Sequence, residues 1–373
     1  MVNENDKAKR YNRTKIKITI LGIVLDLIFL IILLFTGLSV YIRSFVESLT
    51  SSFFLIIAGY SLIIGFLDEI VSLPLHFYSG YFLEHKFEMS NQGIKDWIID
   101  QLKSLGLTIA IGLPLILIFY FILKNFSNNW WILTGIVFTV LFVLLAKFAP
   151  LILFPIFFKF KPLENESLKE RLIQLCEKVG TKINGVFEMD LSKKSKSANA
   201  GLAGTGKTRR IILSDTLLNN FSEDEIESIM AHELGHHIYK HMLKGLVLQT
   251  VFIFFGFFIA SIVLKNAIGF FGFRSIYDVA GLPLIILVVS ILSVILLPII
   301  NSISRKMELQ ADAYACRMSS NPQTFLDGLE KLANLNLADR NPNPIIEFIF
   351  YSHPSIERRL QFGRKILETT NQS

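Results

Sequence analysis

Six apolar stretches constrain this chain more than any other feature: about 18–41, 53–78, 105–123, 130–146 (continuing to 158), 245–264 and 279–303. Each approaches or exceeds the roughly 18–20 residues that a helix needs to cross a hydrocarbon core. A predominantly α-helical, multi-pass membrane protein is expected. Composition agrees, since 52% of the 373 residues are apolar and 33 are Phe, above the roughly 45–50% of a soluble domain. The first stretch is too long for a signal-peptide h-region and lacks a small-residue cleavage pattern, so it is expected to remain as a span.

Lys7, Lys9, Arg10, Arg13, Lys15 and Lys17 all precede that span, which by the positive-inside bias places the N-terminus in the cytoplasm. Alternation then puts the loop 79–104, the polar segment 159–244 and the tail 304–373 on the same side. The outer loops near 42–52, 124–129 and 265–278 carry only Arg43, Lys124, Lys265 and Arg274. Topology and contact with anionic lipid account for the net charge of +6. No basic patch with interleaved aromatics occurs in the polar segments, so no nucleic-acid partner is expected. Cys176 and Cys316 fall in segments assigned to the cytoplasm, where disulfides are rare.

The expected organisation is a membrane region of four spans (1–158), a polar insert (159–244), two further spans (245–303) and a C-terminal segment (304–373). The membrane would be the plasma membrane of a prokaryote or the endoplasmic reticulum of a eukaryote. Asp68 and Glu69 interrupt the second stretch. Acids there either face a watery cavity or mark a helix break at the interface.

Within the polar insert, Gly201, Gly206, Lys207 and Thr208 match the spacing of a Walker A phosphate loop. That motif works only where a glycine-rich turn leaves a strand and opens a helix. Here Arg209-Arg210 leads instead into Ile211-Ile212-Leu213, a β-branched apolar run. The glycines are therefore expected to form a turn between two strands, with no nucleotide bound.

Four of the seven histidines crowd into "AHELGHHIYKH", residues 231–241. His232, Glu233 and His236 form H-E-x-x-H, which on a helix puts both imidazoles on one face and Glu233 within reach of a water bound between them. Phe221-Ser222-Glu223-Asp224-Glu225-Ile226 supplies an N-cap serine, a capping-box glutamate and a hydrophobic staple for that helix. A catalytic Zn2+ site needs a third protein ligand and an open position. Glu308 in "SRKMELQADAYA" is the best candidate, with Asp312 one turn on to hold a histidine N–H. His236 lies about ten residues before the fifth span and Glu308 just after the sixth, so both should reach one membrane face if the metal helix continues. His237 and His241 are out of register and are read as satisfied surface or interface histidines.

With these motifs in place, the chain resembles the integral-membrane zinc CAAX prenyl proteases, the CAAX prenyl protease 1 family. "EHKFEMSNQG" (84–93) with Trp97 looks like the family's loop after an early span, and "FKFKPLENESLKERL" like its entry to the catalytic insert. "SKKSKSANAG" and "RRIILSDTLL" resemble its substrate-side strands, "AHELGHH" its metal helix, "SRKMELQADAYA" its third-ligand helix and "YSHPSIERRL" its C-terminal motif. The resemblance implies a ring of transmembrane helices around an internal chamber, carrying a cytoplasmic α+β zinc-metalloprotease domain of gluzincin type. It also implies that the Walker match falls on the turn after an edge strand where an extended substrate adds.

By the same resemblance Asn199 would hold the substrate backbone, His353 would steady the oxyanion, and Arg359 would support peptide binding near the metal. The chain departs from the family at Gly201, where an aromatic residue is usual, and at Ser355, which replaces a second proline. An additional span found in some members is not evident here. Gly201 bears on substrate preference rather than chemistry. The implied function is a membrane-embedded zinc endopeptidase, with one zinc per chain, acting near the C-terminus of prenylated Cys-a-a-X substrates. The alternative is the same chemistry on unprenylated peptides or proteins, as membrane quality control. A P-loop transporter would need ATP at Lys207 and a Walker B acid after a buried strand, which is not evident in the sequence, and a pure channel or scaffold would have no use for metal ligands converging at one membrane face.

Overall fold

The apolar stretches fold as long helices in the computed structural model, which describes residues 4–204, 206–319 and 321–370. Helix α1 spans Glu4–Phe35, followed by α2 (Leu38–Leu49) and α3 (Phe53–Phe77). A π-helical turn, Tyr78–Phe82, carries α3 on into α4 (Leu83–Lys86). Next come α5 (Ile94–Asn125) and α6 (Trp130–Phe148), the latter continuing through a second wide turn into α7 (Phe154–Phe157). After the polar insert, α11 (His241–Phe271) and α12 (Leu282–Met318) complete six helices long and apolar enough to cross a membrane.

The first span ends earlier than its apolar run. Gly37, at φ 73°, takes a left-handed conformation that closes α1 and that side chains rarely adopt. Residues 38–41 then belong to α2, a separate amphipathic helix. Its buried residues Ser39, Ile42, Arg43 and Val46 recur at helical spacing.

Each span packs on two neighbours. Helix α1 lies against α3, α3 against α5, α5 against α6, α6 against α11, α11 against α12, and α12 against α1 again. The ring is closed. No more than 22% of the most apolar window of any span is buried, whereas a solid bundle would bury an inner stripe at least about 100° wide on every helix. Such sparse burial accords with a chamber enclosed by the ring.

The chamber is plugged at one end. Leu33 of α1, Tyr60 of α3, Leu123 of α5, Trp130 of α6, Leu264 of α11 and Leu282 of α12 belong to one buried cluster beside α2. Asp68 and Glu69 lie further along α3, which runs through them without interruption. The helix-break reading of these two acids is thereby set aside.

At the other end the polar insert builds a second core. Strands β1 (Phe160–Pro162), β2 (Val186–Met189), β3 (Ala200–Ala203) and β4 (Arg210–Ser214) form a sheet in the order β1-β2-β4-β3. Helices α8 (Glu166–Lys178), α9 (Asp215–Asn220) and α10 (Glu223–Ile238) belong to the same insert. The C-terminal segment adds α13 (Pro322–Leu335), α14 (Pro344–Phe350) and α15 (Ile356–Thr370). Ile211 and Leu213 of β4, Met230 and Leu234 of α10, and Ala315 of α12 are all fully buried in this core.

Strands β3 and β4 pair antiparallel, from Ala200 opposite Leu213 to Ala203 opposite Arg210. The Walker-spaced glycines thus lie in a hairpin, with β3 at one edge of the sheet and no strand paired on its outer side among the described residues. The loop near Met89 is tied to the segment leading into that edge, because Lys196 N–H donates to Met89 O (2.9 Å) and Asn91 N–H to Lys194 O (3.2 Å). The polar start of α1 docks here too. Tyr11 donates to Glu84 (2.9 Å) and Asn12 to the carbonyl of Leu337 (2.6 Å). The basic N-terminal turns are therefore part of the folded body, in addition to any part they play in topology.

Candidate metal centre

The metal helix begins as its sequence demands. Ser222 caps α10 through Glu225 N–H (3.3 Å) and Glu225 Oε2 reciprocates on Ser222 N–H (2.8 Å), satisfying two otherwise orphaned donors. Ten residues on, Gly235 lets α12 come close. A Cβ at that position would stand 3.0 Å from Ala311 Cα and 3.1 Å from Tyr314 Cβ. That approach brings Glu308 and Asp312, one turn apart on α12, up to His232 and His236.

The candidate ligand atoms converge. His232 Nε2 and His236 Nε2 are 3.1 Å apart, and Glu308 places Oε2 3.5 Å from the first and Oε1 3.3 Å from the second. One ligand atom from each of the three residues falls within 4.8 Å of the others. Glu308 Oε2 is buried and makes no hydrogen bond among the described residues, a costly state unless a cation satisfies it. Two nitrogens and a carboxylate oxygen form the donor set that suits a divalent ion such as zinc, leaving a fourth position open. The residues fit a catalytic metal.

Behind these three residues, Asp312 is fully buried. Its Oδ1 lies 2.9 Å from His232 Nδ1, and Arg359 grips it twice, Nε to Oδ2 at 2.8 Å and Nη2 to Oδ1 at 2.6 Å. Arg359 Nη2 is also 3.8 Å from Glu308 Oε2. This arginine is buried and committed to the acids behind the site.

Electrostatics separates the members of the group. Burial pushes the Glu233 carboxyl above its ordinary value, toward the range where a carboxylate accepts and returns protons. Burial, followed by the charge on His232, lowers His236 to about 4, which favours its neutral, ligating form. Burial would also lower His232, but the Asp312 and Glu308 carboxylates outweigh it and hold that ring at about 9.

His353 arrives from another direction, with Nε2 3.4 Å from Glu308 Oε1 and its side chain 59% exposed. Its loop is pinned by two residues that sequence reasoning missed. Arg305 donates to the carbonyls of Glu347 (2.9 Å) and Tyr351 (2.6 Å) at the C-terminal end of α14. The buried Glu347 carboxylate accepts from Ser355 N–H (3.1 Å) and from Arg358 (3.2 Å). Arg305 lies one turn before Glu308, but nothing in the sequence shows which carbonyls it would find.

Asn199 is exposed and immediately precedes β3, the edge strand that packs on α10. Gly201, within β3, faces open space, since a Cβ there would meet nothing within 4 Å. The metal helix does not continue into the fifth span. Helix α10 stops at Ile238, and Lys240 turns left-handed (φ 54°) before α11 starts at His241. His241 is consequently buried beside His236. A cavity of about 600 Å³ opens next to the site between α1 and the catalytic segment, lined by Tyr11, Lys15, Glu84, Ser197, Tyr351 and His353 among others.

Comparison with known proteins covers nearly the whole chain. The family model described as peptidase family M48 matches residues 162–366, and that described as the CAAX prenyl protease N-terminal region, five membrane helices, matches residues 2–159. Among the described residues, that N-terminal stretch holds four helices long enough to span, plus α2. The uncharacterized metalloprotease YhfN of Bacillus subtilis (strain 168) is 30% identical over 363 residues, 96% of this chain and 85% of the relative. CAAX prenyl protease 1 of Saccharomyces cerevisiae is 33% identical over 313 residues, 79% of this chain and 69% of the relative. The crystal structure of S. mikatae Ste24p matches with a TM-score of 0.87 at 28% identity, over 96% of this chain and 89% of that one.

Proposed function

The chain belongs to the CAAX prenyl protease 1 branch of peptidase family M48 and is a multi-pass membrane metalloprotease, and from that premise we propose a zinc endopeptidase that cleaves prenylated Cys-a-a-X substrates near their C-terminus. The convergence of His232, His236 and Glu308 beside a free strand edge, at the mouth of a membrane chamber, carries this reading. The prenyl group is taken from the activity that the yeast relative's name states, and a chamber within the bilayer would suit a lipid attached beside the scissile bond.

His232, His236 and Glu308 would hold the zinc. When bound, the ion would lower the pKa of a water far enough for it to lose a proton near neutral pH, and would polarise the scissile carbonyl. Glu233 takes the water proton and returns it to the leaving amine. His353 donates to the oxygen on which charge develops, a preorganised contribution of the kind that often dominates a rate. The peptide lies extended along β3, adding a strand to the open edge, with Asn199 holding its backbone. Arg359 supports this arrangement indirectly, by fixing Asp312 behind His232.

The deciding experiment compares two reporter peptides with one sequence, one farnesylated on cysteine and one not, incubated with the full-length protein in lipid vesicles. Efficient cleavage of the farnesylated peptide alone is expected. Equal cleavage of both would favour a lipid-independent quality-control protease. We also propose that the site faces the cytoplasm. A membrane-impermeant thiol reagent outside intact cells should then label a cysteine placed at Asn128 and spare one at Asn184, and the reverse pattern would invert the orientation.

A further inference from the structure

His236 is tied to α12 by a second route that passes through no metal ligand. Its Nδ1 lies 3.0 Å from His241 Nδ1, and His241 Nε2 lies 3.0 Å from Gln310 Oε1. On a continuous helix, residues five apart would point about 140° away from each other. The left-handed Lys240 between α10 and α11 cancels that divergence. The Tyr239 ring stacks on His241 at 5.7 Å and 21°, fixing the plane of the imidazole, and His241 is only 5% exposed.

A neutral imidazole carries one N–H and one bare nitrogen. Ligation through His236 Nε2 requires that nitrogen to be bare, so the proton sits on Nδ1 and is donated to His241 Nδ1. His241 must then carry its own proton on Nε2 and needs an acceptor there. Gln310 presents an oxygen at that point. The direction of every bond is dictated outward from the metal. Run in reverse, from an amide N–H, the chain would end with a proton on His236 Nε2 and abolish ligation.

We propose that His241 and Gln310 are positioning residues that set the tautomer and orientation of His236, an assignment that rests on reading His236 as a metal ligand. The two ligand histidines are then held by different chemistry. His232 leans on the Asp312 carboxylate, whereas His236 is held by a neutral relay. That relay adds no further negative charge to a site that already contains Glu233, Glu308 and Asp312. Partners of this kind commonly change metal affinity by about 10–100-fold when removed.

Zinc dissociation constants, measured on the purified full-length protein by competition with a chromophoric chelator, test the relay. His241→Phe, which fills the space but accepts no hydrogen bond, should weaken zinc about 10–100-fold. His241→Gln, which can present an oxygen, should recover most of that loss. Gln310→Met, at an exposed position of α12, should weaken zinc by a smaller factor in the parent and have no effect once His241 is Phe, since both changes break one path. Parent-like affinity in His241→Phe, or equal effects of Gln310→Met in both backgrounds, would overturn the proposal. Glu308→Ala separates the two levels of inference: if it binds zinc as tightly as the parent, the metal centre itself has been misread, and the relay falls with it.

Discussion

Each end of the molecule contains a buried arginine–aspartate pair, and the two pairs do different things. In the plug opposite the catalytic core, Arg43 of α2 meets Asp278, whose carboxylate also accepts from the backbone N–H groups of Arg274 (2.8 Å) and Ala280 (3.0 Å). All its partners belong to the scaffold. In the catalytic core, Arg359 meets Asp312, whose remaining neighbour is His232, a candidate ligand. The first pair closes a structure. The second passes its orientation on to a ring that must face a metal. Ion-pair chemistry alone does not distinguish them; what the carboxylate touches next does.

The largest predicted effect falls at the catalytic end and spares both pairs. Glu233→Gln keeps a hydrogen-bond acceptor but cannot take a proton, so it should retain about one zinc per chain while losing roughly 10²–10⁴-fold in peptide hydrolysis. Elemental analysis and a fluorescent reporter peptide check this, and full activity in the variant would sink the proposed role of Glu233.

Asp278→Ala comes next. Leaving the buried Arg43 with only Glu47, 3.8 Å from its Nε, should cost up to about 3–5 kcal/mol of stability, seen as a lower unfolding temperature in detergent, with zinc affinity of the remaining folded protein unchanged. Asp312→Asn should also lower stability, and in addition weaken zinc about 10–100-fold. If both variants weakened zinc equally, the contrast between the two pairs would disappear.

The smallest effect belongs to the strand edge. Gly201→Phe introduces a side chain into open space, so unfolding should not change. Selectivity between two reporter peptides differing beside the scissile bond should shift by roughly ten-fold or less. A large loss of activity on every peptide would show instead that the edge must stay bare for any substrate to bind.

The spans, the capped metal helix, the hairpin beneath the Walker spacing and the trio His232, His236 and Glu308 could be read from the order of residues. Each depends on local physics: the length of an apolar run, the 3.6-residue period, a serine answered by a glutamate three residues on. The sequence also implied which ends of the spans share a membrane face, through where its lysines and arginines cluster. What remained hidden depends on contacts between segments far apart in the chain. The resemblance implied a chamber, but that the ring closes from α12 back onto α1 and is plugged at one end follows from which helices pack on one another. Arg305 finds the carbonyls of α14, and Arg359 turns inward to Asp312, only because α12 is already packed against the C-terminal segment. Of the two places the sequence left open for His241, surface or interface, a single left-handed residue, Lys240, selected the interface, behind the candidate ligand His236. Periodicity assumes that a helix continues, and backbone geometry decides where it stops.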